Sequence, residues 1–332
     1  MKFRVFSLGF VWLPFTAAGH HSHAEFSDEI HEVVGELTSV VWRNPHPAIT
    51  LRVADGDAQG EIWRIQVQGN VNGLSREGVT GDRFRRGDRV RIAGQLSTRR
   101  PTLLLATRAE LADGTIIVLG PDESTGSALY RGRSDAAETR APDSPSNIFR
   151  VWTVANRVRT QELPLNDAAR LAKNTWDPVL DDPQRGCRPL GMPGAMMSPH
   201  PIEIRQVDAD LVVLLEEWNA RRTIHMASDS GAEHAIPSPM GYSVGRWDDD
   251  TLVVTTTQID YPYMDEHGTP QTDAVEVVER FSLSTDGRSL DWEATITDPG
   301  TMTEPVIAFT TRWVWLPGEY IQPYDCQELD PL

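Results

Sequence analysis

Short apolar stretches, most of them alternating with polar residues, recur along the chain and predict strands far more often than helices. In the first third they cover residues 32–42, 49–53, 61–67, 89–94, 102–111 and 115–119. Asp55-Gly56 and Asp113-Gly114 supply tight turns between them, and residues 72–79 suit one short helix. Six short strands with one helix predict an OB-like small barrel over residues 25–120. Residues 121–147, rich in Ser, Asp, Gly, Pro and Ala, carry no hydrophobic period and read as a linker.

The pattern resumes at residue 148. A strand at 148–154 is followed by a helix at 166–176, capped by Asn166 and stopped by Pro178. Residues 181–199 are irregular, with Met192, Met196 and Met197 fitting either adaptable core filler or soft copper ligands. Strands at 240–247, 251–259, 274–283, 289–297 and 306–314 follow, joined by polar turns such as Asp248-Asp249-Asp250 and Asp286-Gly287. The three aspartates lack the ligand spacing and glycine of a calcium loop. The expectation for residues 148–332 is a lipocalin-like antiparallel barrel or half-barrel, so the fold class is mainly β in two units.

Residues 201–226 stand out because charges interrupt an apolar hairpin. A two-residue connection at Asn219-Ala220 pairs Glu217 with Arg222, Leu215 with Ile224 and Val213 with Met226 on one face. The other face carries Val212, Leu214, Glu216, Trp218, Arg221, Thr223 and His225, with Trp218 opposite Arg221 for a cation–π contact. A structural reading makes this a sheet edge with a rim salt bridge. A functional reading puts Glu217, Arg222 and His225 at the mouth of a cavity as acid–base groups. Val213, Leu215, Trp218, Ile224, Met226 and His200 would then line the cavity.

Composition narrows the setting. Met1 to Arg4 and the apolar residues up to Ala18 have the form of a signal peptide, which predicts a periplasmic or secreted protein. Cleavage there removes Lys2 and Arg4 and takes the formal charge from −17 to about −19, a surface that repels nucleic acid. The arginine run from Arg83 to Arg100 then reads as a solvated face or a dock against the acidic second unit. No apolar run beyond the leader is long enough to span a membrane. Cys187 and Cys326, an even pair in an oxidising compartment, predict one disulfide. Residues 19–24 form a His-rich leader in which His20, His21 and His23 fit either Cu(II) chelation or a solvated tail.

His20-His21-Ser22, Gly35 with Val40 and Trp42, and Asn44-Pro45-His46 resemble a domain of unknown function of exported bacterial proteins. Pro201 to Ile204, Arg222 to His225, Met240 to Trp247 and Val278 to Phe281 resemble a second domain common in such proteins. Neither resemblance implies a catalytic residue. Three function classes therefore stand: a binding protein holding a small, partly apolar ligand in the second barrel; an acid–base enzyme using Glu217 and Arg222; and a copper-binding protein using the leader histidines.

Overall fold

A computed structural model of the chain describes residues 25–120, 147–160, 162–178, 180–226 and 234–327. The signal peptide, the leader histidines His20, His21 and His23, and nearly all of the linker lie outside the described residues. The chain is mainly β, with a six-strand sheet and a separate closed barrel of nine strands.

The first sheet comprises β1 (Phe26–Val41), β2 (Ala48–Val53), β3 (Ile62–Val67), β4 (Arg89–Ser97), β5 (Leu103–Leu111) and β6 (Ile116–Val118). Helix α1 (Val71–Arg76) lies between β3 and β4, with the Asn70 side chain capping its first turn. The strand order β3-β2-β1-β4-β5-β6, with β3 also pairing in parallel with β5, closes five strands into the OB ring and leaves β6 on the edge. The 16-residue β1 serves both β4 and β2, so it must bend where it changes partner. Gly35 sits at that point, where a Cβ would lie 2.4 Å from the Arg52 carbonyl oxygen. Alternation along β2 turns Ile49, Leu51 and Val53 inward against Leu37, Ile65 and Ile92.

The second unit comprises β7 (Val151–Arg159), β8 (Ile202–Val207), β9 (Asp210–Leu215), β10 (Ala220–His225), β11 (Tyr242–Asp248), β12 (Thr251–Thr257), β13 (Glu276–Leu283), β14 (Ser289–Thr297) and β15 (Val306–Trp315). Neighbours in sequence are neighbours in the barrel, and β15 pairs with β7 to close it. Nine is odd, so an up-and-down ring needs one parallel pair, and β10 with β11 supplies it. Helix α2 (Asp167–Thr175) is capped by Asn166 as its sequence predicts. Inward residues of β14 alternate as Leu290, Trp292, Ala294 and Ile296. Trp152, Phe281, Phe309 and Trp313 join them, each with 1% or less of its surface exposed. Trp313 packs between Phe281 and Trp292, with ring centroids at 6.3 and 5.9 Å.

Residues 181–200 fold across one end of this barrel through two 3-10 turns, Pro183–Gly186 and Gly194–Met197. Met192 and Met196 are buried in the core, which is their filler role. Cys187 and Cys326 form the expected disulfide, which ties the C-terminal tail to this cap. Four arginines of the run, and Arg108 beyond it, meet carboxylates. Arg89 meets Asp55, Arg91 and Arg108 share Glu32, Arg100 meets Glu25, and Arg99 reaches Asp177 of the second unit.

Candidate functional site

The hairpin differs from its expected register. Arg222 pairs with Val213 and Ala220 with Leu215, so the connection spans Glu216 to Asn219 instead of Asn219-Ala220 alone. Trp218 and Asn219 both adopt left-handed backbone, at φ 62° and 52°, where an Asn is tolerated and a Trp is strained. The C-terminal tail holds this turn. Asn219 accepts from the Tyr324 main-chain N–H and donates to its carbonyl, both at 2.8 Å. The displacement is an even number of residues, so Val213, Leu215, Arg222 and Ile224 still share the inward face. The Glu217–Arg222 pair does not form, and Trp218 packs against Tyr324, at 5.2 Å, in place of Arg221.

Three ionisable clusters instead mark the hairpin. In its middle, Arg222 points into the barrel with 1% of its side chain exposed and meets Glu279, which has none. Arg222 donates through Nε to Ser243 at 2.9 Å, through Nη1 to Glu279 Oε1 at 2.8 Å and through Nη2 to Thr256 at 2.7 Å. Trp292 Nε1 donates to Glu279 at 2.9 Å, and Ser243 lies 3.0 Å from Thr256. A buried pair satisfied this fully is a structural element. At one end of the hairpin, His225 Nδ1 lies 2.9 Å from Asp210 Oδ2 and its ring stacks on Tyr242 at 4.6 Å. The Met226 N–H and His225 hold the Asp210 carboxyl below its usual range.

The third cluster lies at the turn, against the first barrel. Glu216 is fully buried and receives Arg76 of α1 in a two-pronged pair, at 2.7 and 2.5 Å, and the Gln322 N–H at 2.8 Å. Burial alone would raise this carboxyl, but Arg76 and His200 outweigh it and hold the group at about 2. His200 is buried between the two turn carboxylates, with Nδ1 3.7 Å from Glu216 and Nε2 3.8 Å from Glu217. Tyr324 packs edge-on to the His200 ring at 5.3 Å. His46, from the first barrel, lies close enough to feel His200 and Arg185. Burial depresses its imidazole to about 4 against the opposing pull of the Val67 and Gln68 carbonyls.

Glu217, Trp218, Leu215 and Ala220 of the hairpin and Leu190 and Ala195 of the cap line a crevice of about 10 Å³, the space of a single water. Trp218 Nε1 is buried with no acceptor. Glu217 also contributes to the field at two other carboxyls. Burial raises Asp182 and pushes Glu266 up to about 8, and Glu217 adds to both shifts. Glu266 keeps 15% of its side chain open and lies 3.5 Å from His267 Nε2.

The structure thus brings Glu217, Trp218, Leu215 and His200 together. It places Val213 and Ile224 in the barrel core, Met226 half-buried beside Gly245, Arg222 inside the barrel and His225 at the far end of the hairpin. Sequence reasoning passed over Arg76, Glu216 as a buried acid, and Tyr324. Only the adjacent pair Glu216-Glu217 within an apolar run signalled any of them. Among the described residues no group of three or more His, Cys, Asp or Glu is placed to hold a metal, and no helix is long and apolar enough to cross a membrane.

Residues 10–101 match the model of a family of unknown function (DUF6152), a span that includes β1 to β4 and ends before β5. A comparison with curated proteins finds no match.

Proposed function

We propose that the chain is an exported binding protein, periplasmic or secreted, that holds a small, partly apolar ligand at the seam end of the second barrel. Trp and Phe side chains and the Arg222–Glu279 pair occupy the middle of that barrel, which favours its end over its interior. The observation that carries the reading is a crevice with apolar walls lined by Glu217 and by Trp218, whose indole N–H is buried without an acceptor. Few polar groups on an apolar wall are what small-ligand sites use for orientation. The strained backbone at Trp218 supports the same place. The Cys187–Cys326 disulfide supports an oxidising compartment.

Native mass spectrometry of protein recovered from its own source, followed by binding of a fragment library, tests this reading. Glu217→Gln and Trp218→Phe weaken the bound fragments at least tenfold; equal affinity in both variants refutes the site. A second reading, an acid–base enzyme, is favoured by the Glu266 carboxyl that burial raises to about 8 and that Glu217 raises further, since a carboxyl pushed up in this way suits a proton-donor role. Under that reading Glu266→Gln retains ligand affinity and loses turnover.

A further inference from the structure

The tail that follows β15 adds no strand to either barrel and bonds both across the seam between them. On the first barrel, Asn72 donates to the Pro323 carbonyl, and Arg76 donates to Glu319 and to the Tyr320 carbonyl. On the second, the Gln322 N–H donates to Glu216, Tyr324 exchanges two bonds with Asn219, and Cys326 is joined to Cys187. Tyr324 is 3% exposed and packs on Trp218 at 5.2 Å and on His200 at 5.3 Å. We propose that the Cys187–Cys326 bridge is a redox clasp, whose reduction by a dithiol releases residues 316–327 as a strap and uncovers Trp218 and His200 while both barrels stay folded.

With the bridge closed, the strap is fixed at both ends, by β15 at Trp315 and by the disulfide at Cys326. With it open, the same residues are a chain end, the part of a fold that frays unless tied down. The strap also grips the second unit at strained backbone. Cys187 and Trp218 are left-handed, at φ 55° and 62°, a conformation that costs a residue with a side chain, and release lets both relax. A reductant can reach the bridge, because both half-cystines are half-buried and Gly186, Arg188, Asp325 and Gln327 beside them are exposed. Exposed disulfides are the readily reduced ones. A thiolate of the dithiol attacks one sulfur and forms a mixed disulfide, which the second thiol of the reductant then resolves. Two electrons and two protons pass to the protein, Cys187 and Cys326 become thiols, and the reductant leaves as a disulfide. The barrel does not depend on the strap. Neither cysteine nor Tyr324 belongs to its apolar core, and β15 closes it on β7 before the tail begins.

Hydrogen exchange at the Tyr324 amide, which donates to Asn219, reads the opening of the strap by NMR on the full chain before and after dithiothreitol. In the oxidised protein the open strap is still a closed loop of roughly eleven residues, so reduction raises the opening constant between roughly 10- and 100-fold. The Trp292 amide in β14 keeps its protection, and reoxidation restores that of Tyr324. Unchanged exchange at Tyr324, an equal loss at Trp292, or a bridge that dithiothreitol leaves intact in the folded chain overturns the proposal. Paired Cys187→Ser and Cys326→Ser substitution reproduces the loss at Tyr324 without reductant, and wild-type protection there overturns the proposal equally. Should that variant fail to fold, reduction of the native chain decides. No ligand enters the measurement, so failure of the clasp leaves the crevice reading standing, and failure of that reading leaves the clasp standing.

Discussion

The buried Arg222–Glu279 pair makes a quantitative prediction. Arg222→Met preserves most of the side-chain volume but leaves Glu279 inside the barrel with only Trp292 and Thr256 as donors. Breaking a buried pair by removing one partner costs about 3–5 kcal/mol, because the surviving charge keeps its desolvation penalty. Glu279→Leu strands the guanidinium with Ser243 and Thr256 and costs a similar amount. In the double variant no charge remains, Ser243 and Thr256 still bond each other, and the loss reduces to the Trp292 N–H without its acceptor, about 1–3 kcal/mol. The coupling between the two sites is therefore at least about 3 kcal/mol, well beyond additive behaviour. Urea melts of the wild type, both single variants and the double variant measure it. For a unit of this size each single variant also lowers the melting temperature by roughly 6–20 °C. Single-variant losses below about 1 kcal/mol, or a double variant equal to their sum, would refute a dry, mutually dependent pair.

Three other outcomes follow from the same geometry. Glu266→Gln removes a carboxyl raised to about 8, whose contribution is complete below pH 4.5 and is lost as pH rises through 8. The variant therefore gains roughly 3–5 kcal/mol over wild type at pH 9, measured by denaturant melts across pH. Opening the Cys187–Cys326 bridge by paired Cys→Ser substitution releases a 139-residue separation and lowers unfolding stability by up to about 5 kcal/mol in the same melts. Asn219→Ala loses both bonds to Tyr324 at a left-handed position and costs about 2–3 kcal/mol, whereas Asn219→Gly keeps the backbone and costs less.

Strands were legible wherever alternation was local. Ile49, Leu51 and Val53, or Leu290, Trp292, Ala294 and Ile296, announce their inward face within a single element. β8 was not, because Arg205 and Gln206 break its apolar pattern after Ile204 and the turn that follows is set by Asp208 at φ 54°. The hairpin register was illegible for a different reason. Its turn depends on Tyr324, more than a hundred residues later, and nothing near Asn219 encodes that bond. The candidate site shares this limit. Glu217, Trp218 and His200 are close in sequence and were found together, whereas Arg76 comes from the other barrel and meets the turn only after both units dock.

On the proposed function, recognition happens at the turn beside the seam and not within the barrel. Indole N–H resonances of the tryptophans separate the two directly, with Trp218 assigned by its loss in Trp218→Phe. Addition of any fragment found to bind shifts the Trp218 resonance, whose N–H has no acceptor in the free protein, and leaves Trp292, bonded to Glu279, unmoved. A fragment that moves Trp292 or Trp313 while Trp218 stays in place would put recognition inside the barrel instead.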